Sequence, residues 1–378
     1  MKKKRAIIIK SYLLDRETRA TKVIKALTHN GYLVTFLGWD RGDRACRSER
    51  QEAGEFHCEI LLRYNAPLQS KILLFLPIWW GFVFFKLMVT RWDIAHAGEF
   101  ASIPPAVIAG KLKRKPVIYE MLDVYADLIL MPKMMRDMCI NIDKLFMRFA
   151  SSVILADDEM VEEVGGIPNS KVITIYDSPP NMFNEMNNYR KNETFTLFFA
   201  GLLSSVKALN LDKIFAAIET IEGSKIVIAG HGDLVEDIKE WSRKNPDKIQ
   251  FIGEITHAEV LERSVKADLL FVLRDPIVPV NKYICGSKVL EAMMCGTPIL
   301  VNKGTSTAHK VHEENCGVVV DANNIEEIRE AIIKLRADPE LIRELGTNAR
   351  KAYEDRYSWD IMEQRLLTIY GELTTDIT

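Results

Sequence analysis

Residues 5–37 read RAIIIKSYLLDRETRATKVIKALTHNGYLVTFL, and their periodicity decides the fold class. Arg5–Ile9 is a short isoleucine-rich run, the pattern of a strand buried on both faces. Thr21, Val23, Ile24, Ala26 and Leu27 then recur at helical spacing, and Asn30-Gly31 closes that helix. Tyr32–Leu37 opens a second strand. Strand, crossover helix and strand within about 30 residues make a βαβ unit, which joins parallel strands.

The alternation continues along the chain. Strand candidates follow at His57–Leu62, Asp93–Ala97, Pro116–Tyr119, Ser152–Ala156 and Val172–Ile175. It restarts at Thr194–Ala200 and runs through Lys225–Ala229, Ile249–Ile252, Leu269–Leu273, Pro298–Val301 and Gly317–Val320. Between the two series stand Pro179-Pro180 and the polar run 187–193, which has linker composition and no apolar periodicity. The expectation is an α/β protein of two Rossmann-like domains with parallel sheets, residues 1–183 and 184–357. A final amphipathic helix over 358–378 follows, with Ser358 as its N-cap.

Composition agrees. The 378 residues are 48% hydrophobic and 27% charged, the balance of globular domains with sizeable cores. Net charge is -2, which argues against a nucleic-acid binder. Residues 1–185 hold 26 Lys and Arg against 22 Asp and Glu; residues 186–378 hold 24 against 30. The basic first half suits an anionic acceptor or a membrane surface. The six cysteines form no metal-spaced cluster and read as free thiols of a cytoplasmic protein. The apolar run behind the basic N-terminus stops at Lys10, too soon for a signal peptide.

One stretch departs from the pattern. Residues 72–85, ILLFLPIWWGFVFF, carry no charge, and Lys86 follows. Fourteen residues are short for a bilayer span, which needs about 20. Two readings stand: a core helix with an exposed apolar side, or a peripheral membrane contact through 72–89. In the second, Trp79, Trp80 and Trp92 sit at headgroup level, with Lys71, Lys86 and Arg91 near the ends. The run Lys111, Lys113, Arg114, Lys115 reads as a solvated loop or as a contact with anionic lipid.

Ligands of open parallel sheets lie beyond the carboxyl ends of the strands. There the strongest signal is 286–298, GSKVLEAMMCGTP. Gly286-Ser287 precedes a helix with Ser287 as a natural N-cap, Gly296 ends it, and Pro298 opens the next strand. A glycine-led helix start offers free N–H groups and a positive dipole end to a diphosphate. Glu291, one turn in, leans back toward that end and could accept ribose hydroxyls. The same residues also make an ordinary capped helix.

This segment resembles the nucleotide-sugar signature of family-4 glycosyltransferases, which have the GT-B fold. Residues 199–207, FAGLLSSVK, are similar to that family's FxGRLxxxKG block, and 226–232, IVIAGHG, to its LxIxGxG block. Phe251-Ile252-Gly253 resembles its FxG turn; Gly346, Asn348, Ala349-Arg350 and Tyr357-Ser358-Trp359 resemble its closing stretch. In the first half Asp15-Arg16, His96-Ala97-Gly98-Glu99 and 119–125, YEMLDVY, are similar to acceptor-domain blocks. Three positions depart from the pattern. Tyr283 stands for the first Glu, Leu202 for the Arg of GRL, and Leu122 for the His of YDxHD.

The resemblance implies two domains facing a central cleft, the last helix packing back on the first. It implies a nucleotide-sugar donor, UDP or GDP as product, a saccharide or lipid-linked saccharide acceptor, transfer to a hydroxyl with retention, and no cofactor. Gly201, Lys207, Gly230, His231, Gly253, Gly286, Ser287, Lys288 and Glu291 become the expected donor site. Lys207 and the amides near Gly286 would stabilise the leaving diphosphate, with Glu99 and Asp123 on the acceptor side. No metal is expected, for no DxD-type carboxylate pair stands in a suitable strand-end loop. His96 reads as a core histidine or an acceptor contact. Arg16 and Arg19 read as acceptor contacts or a solvated helix face. The alternatives are a nucleotide-sugar epimerase of the same fold and a non-catalytic partner subunit. A dinucleotide oxidoreductase would want GxGxxG after the first strand, where Lys10-Ser11-Tyr12-Leu13-Leu14 stands.

Overall fold

The computed structural model describes residues 3–14, 18–42, 57–66, 69–128, 132–169, 171–183 and 194–375. Asp15-Arg16 and the polar run 187–193 lie outside these. The chain divides into two compact units, Met1–Tyr176 with Met362–Thr378, and Asp177–Ile361.

The first unit holds β1 (Arg5–Ile9), β2 (Leu33–Asp40), β3 (His57–Arg63), β4 (Ile94–Gly98), β5 (Val117–Met121), β6 (Ser152–Leu155) and β7 (Val172–Thr174). They form one sheet in the order β3-β2-β1-β4-β5-β6-β7, with every neighbouring pair parallel. The second unit holds β8 (Phe195–Leu202), β9 (Ser224–His231), β10 (Ile249–Phe251), β11 (Leu269–Val272), β12 (Ile299–Asn302) and β13 (Gly317–Val320). Its parallel order is β10-β9-β8-β11-β12-β13. In both sheets the order reverses beside the first strand, at β1/β4 and at β8/β11. These are the switch points where α/β sheets open a crevice.

Helix Thr18–His29 buries Arg19, Ala20, Val23, Ile24, Ala26 and Leu27. Arg19 lies one turn before Val23, on the apolar face, so it points into the core and not to solvent. There it corrects both readings made of it from sequence. Its Nε donates to Glu120 Oε1 (2.9 Å), and its terminal nitrogens bond the carbonyls of Tyr176 and Ile175. Lys10, which directly follows β1, donates to Glu120 Oε2 (2.9 Å). His96 lies among them on β4. Its Nδ1 is 2.9 Å from the Tyr370 hydroxyl, and its Nε2 is 3.3 Å from Glu120 Oε2, off hydrogen-bonding geometry. Tyr370 comes from the last helix, Trp359–Thr375, whose Thr374 also accepts from Lys4. Gly98 makes room for this cluster: a Cβ there would meet Lys10 Cδ at 2.3 Å. Burial alone would raise the Glu120 carboxyl; Lys10, Arg19 and His96 outweigh it and hold it well below its usual range.

The apolar stretch is helix Leu76–Val89, preceded by a 3-10 turn. Ile72, Leu76, Trp79, Val83 and Leu87 recur at helical spacing and are buried. Trp79 is therefore fully inside, 0% exposed, with its indole stacked on Trp39 (centroids 5.6 Å apart). Trp80 donates its N–H to the Ala101 carbonyl, and buried Trp92 donates to Leu87. Trp79 and Trp92 therefore do not sit at headgroup level as the membrane reading had them, and half-buried Trp80 is held by its bond to Ala101; for Trp79, position on the buried stripe decides it. Among the described residues Cys139, Cys285, Cys295 and Cys316 are buried and in no disulfide.

Candidate functional site

The second unit gathers its polar groups at the carboxyl end of its sheet. Gly201 and Gly230 are register partners near the ends of β8 and β9. A Cβ on Gly230 would stand 1.9 Å from the Gly201 carbonyl oxygen, so the two backbones meet where no side chain fits. Gly230 N–H also donates to Gly253 O, bringing the three glycines of the sequence reading to one edge.

The loop after β8 crosses the switch point. Asn210 Nδ2 donates to Leu273 O (2.8 Å), and Asp275 N–H donates to Ala208 O (2.9 Å). Ala208 and Asn210 both hold left-handed backbone, φ 47° and 50°. Such conformations cost about 1–3 kcal/mol and gather at binding sites. Lys207 ends the 3-10 turn Ser205–Lys207 in this loop, and its side chain lies outside the described residues. Ser205 anchors the turn by its main-chain N–H and hydroxyl on Asp233.

Helix Ser287–Cys295 begins beside that loop. Gly286, not Ser287, is its N-cap, and no side chain caps it. This corrects the cap assigned from sequence, because Gly286 holds extended backbone and Ser287 is already helical. The first-turn amides therefore have no side-chain oxygen taking their bonds, the arrangement that suits an anion. Gly296 ends the helix in left-handed backbone, φ 62°.

Two cations border this helix start. Arg274, just past β11, comes within 3.2 Å of where a Gly286 Cβ would stand. Lys288 reaches toward β8, its Cε 3.2 Å from where a Gly201 Cβ would stand. Lys288 Nζ also donates to Glu291 Oε2 (2.9 Å). His257 Nε2 lies 3.7 Å from Glu291 Oε1. Burial works to raise the Glu291 carboxyl, but His257 and Lys288 prevail and hold it below its usual range. Glu291 is thus an ionised acceptor about one turn from the uncapped amides.

The structure therefore brings together Gly201, Gly230, Gly286, Ser287, Lys288 and Glu291, with Gly253 bonded to Gly230. His231 is exposed and sits 3.2 Å from Glu254, joined to the rest only through its strand. Arg274 and His257 were missed. His257 opens helix His257–Lys266 behind the Thr256 capping box, a visible helix start, but nothing in sequence ties it to Glu291. Arg274 lies one residue past the Leu269–Leu273 run, a position the strand-end rule does favour.

Glu99 and Asp123 belong to the first unit. Glu99 follows β4 with φ 64°, a left-handed strand end, and its N–H bonds Glu120 O. Half-buried Asp123 follows β5. Burial and then Asp127 and Asp123 push the Glu163 carboxyl up to about 8.

Comparison with known proteins bears on the second unit most directly. Residues 182–352 match the family model described as "Glycosyl transferases group 1". The chain is 23% identical over 147 residues to a GDP-mannose-dependent monoacylated alpha-(1-6)-phosphatidylinositol monomannoside mannosyltransferase of Corynebacterium glutamicum; the match covers 39% of this chain and 38% of that one. It spans about half the length of several other curated relatives it matches. Among solved structures, Anabaena HepE in complex with UDP superposes with a TM-score of 0.74 at 15% identity, covering 98% of this chain and 100% of that one. WaaG, a glycosyltransferase involved in lipopolysaccharide biosynthesis, gives 0.66 at 15%, covering 97% and 100%. Residues 182–352 thus match the group 1 glycosyltransferase model, and the chain has the GT-B fold of two parallel-sheet, Rossmann-like units.

Proposed function

We propose that the protein is a glycosyltransferase that moves a sugar from a nucleoside diphosphate sugar to a hydroxyl acceptor, with retention at the anomeric carbon. The observation that carries this is the uncapped start of helix Ser287–Cys295 at the β8/β11 switch point, with Arg274 and Lys288 beside it and ionised Glu291 one turn in. A diphosphate suits the amides and cations, which stabilise the negative charge that grows on it as the sugar departs. A ribose offers its hydroxyls to Glu291 as donors. Gly201 and Gly230 let the pyrophosphate approach the backbone. Lys207 supplies a further cation in this reading. Glu99 and Asp123 serve the acceptor. A lipid-linked saccharide is the acceptor class we favour, in keeping with the phosphatidylinositol monomannoside for which the corynebacterial relative is named.

Calorimetry with UDP and GDP tests the donor site. One of them should bind, and Glu291→Ala should weaken it by at least about tenfold, since hydrogen bonds to a charged group are worth about 1.5–3 kcal/mol. Unchanged affinity would remove Glu291 from the site. Retention is read from the anomeric configuration of the first product by NMR.

A further inference from the structure

The outward side of helix Leu76–Val89 is as apolar as its buried side. Opposite the buried stripe lie Leu74, Ile78, Gly81, Phe85, Met88 and Val89, all exposed; Leu74 is 79% exposed, Phe85 60% and Val89 60%. A surface helix of a globular protein normally turns charged residues outward, and a helix apolar all round is normally covered.

Its neighbours extend the surface. The β3→β4, β4→β5 and β5→β6 connections all run the same way across the sheet. Right-handed crossovers then put helices Leu76–Val89, Ile103–Lys113 and Lys133–Phe149 on one face, where they touch in that order. Leu112 (63% exposed) and Ile108 stand out from the second, and Leu145 and Phe149 from the third. Lys111 Nζ lies 5.7 Å from the Phe149 ring centroid, so the second and third helices share one outer surface.

Charge tells what covers it. The first two helices and the residues that end them carry Lys86, Arg91, Lys111, Lys113, Arg114 and Lys115 against Asp93 alone. The third helix adds Lys133, Arg136, Lys144 and Arg148 against half-exposed Asp137 and buried Asp143, a smaller basic excess. A second copy of the chain would bring like charge against like charge, which disfavours self-association. A nucleic acid would meet the cations and leave Phe85, Val89 and Leu112 without use. A bilayer with anionic headgroups matches both: apolar side chains enter the acyl boundary, and basic residues meet phosphates, each worth about 1 kcal/mol.

We propose that this three-helix face of the first unit docks on an anionic lipid bilayer, lying in the headgroup layer. The helix does not cross, because its inward stripe, Leu76, Trp79, Val83 and Leu87, forms part of the core of the unit. The inference stands apart from the sugar reaction, and its test needs no substrate.

The full chain is floated with vesicles of phosphatidylcholine alone or mixed equally with phosphatidylglycerol. It should float with the mixed vesicles, remain below with the neutral ones, and be released as salt is raised. Phe85→Glu/Leu112→Glu should lower the bound fraction at least tenfold with an unchanged melting midpoint, since both side chains face out. Lys111→Glu/Arg114→Glu leaves the apolar residues intact and should raise the lipid needed for half-binding by roughly tenfold or more. Flotation that ignores lipid charge, or both variants floating like the wild type, overturns the proposal. So does a lipid-free dimer that Phe85→Glu dissolves, which would assign the face to a second copy.

Discussion

Replacing Glu120 by Gln keeps the shape of the side chain and removes one negative charge from a fully buried cluster. Lys10 and Arg19, each 2.9 Å from a Glu120 oxygen, are at most 2% exposed. Breaking a buried pair by removing one partner costs about 3–5 kcal/mol, because the remaining charge stays out of water. Arg19 keeps its bonds to the Tyr176 and Ile175 carbonyls, which argues for the lower half of that range. In a unit of this size about 3 kcal/mol lowers the melting midpoint by roughly 6–12 °C. Calorimetry reads this as a shift of the first unit's transition. Adding Lys10→Met to the Glu120→Gln protein removes one buried cation and should recover part of the loss. The difference between wild type and variant also depends on pH. Folded Glu120 is held well below the ordinary carboxylate range, so its contribution is complete above about pH 5 and fades as pH falls through the folded value. A cost under about 1 kcal/mol, or a Lys10→Met change that only adds its own penalty, would show that charge pairing does not hold these strand ends together.

Gly230→Ala should cost about 2 kcal/mol or more, because its Cβ would stand 1.9 Å from Gly201 O; nucleotide affinity should fall with it, as denaturant melts and calorimetry would show. Gly81→Ala is the counterpart: nothing lies within 4 Å of its Cβ, and an exposed helical glycine replaced by alanine should gain up to about 1 kcal/mol in the same melts. Burial pushes the Cys295 and Cys316 thiols up to about 12, so both stay protonated at neutral pH. Peptide-resolved alkylation at about pH 8 should find them unreactive in the folded protein and labelled only in denaturant; rapid native labelling of Cys295 would mean that its helix opens.

The strands were legible because burial on both faces demands uninterrupted β-branched runs, and those runs carry their own boundaries. Arg5–Ile9, buried from Ala6 onward, appears in the sheet with the same ends as in the sequence, and so does the half-buried edge strand Gly317–Val320. One glycine signal was legible for a similar reason: Gly296 is demanded by its local left-handed backbone at the helix end, and local demands are written locally. Direction and partnership were not. Trp79 looked like an anchor by type, yet spacing from Leu76 and Val83 turns it inward, so the apolar face that does look outward consists of Phe85, Val89 and Leu112. Arg19 looked like a surface cation by type, yet its place before Val23 sets it in the core. Its partner Glu120 lies 101 residues away, a distance over which no motif reaches.

The two sheets share a strand order but treat their switch points in opposite ways. In the second unit the ends of β8 and β9 are reduced to glycine, and the cations come from the side, on Lys288 and Arg274. Glu291 there is held by Lys288, whose side chain remains about a quarter exposed and within reach of a ligand. In the first unit a glycine also stands at the strand end, but Gly98 admits Lys10, not a ligand. The chain fills that crevice with its own ions: Glu120 occupies the place of an anion, and Lys10 and Arg19 clasp it in full burial. A diphosphate arriving there would have to compete with a carboxylate already bonded to both cations and would have to open the core to reach them. The Rossmann-like order alone thus predicts two equivalent nucleotide crevices, and the side chains leave one. Among the described residues, left-handed Glu99 and half-buried Asp123 follow the ends of β4 and β5; carboxylates repel phosphate, so in the function proposed above they are assigned to the hydroxyls of the acceptor.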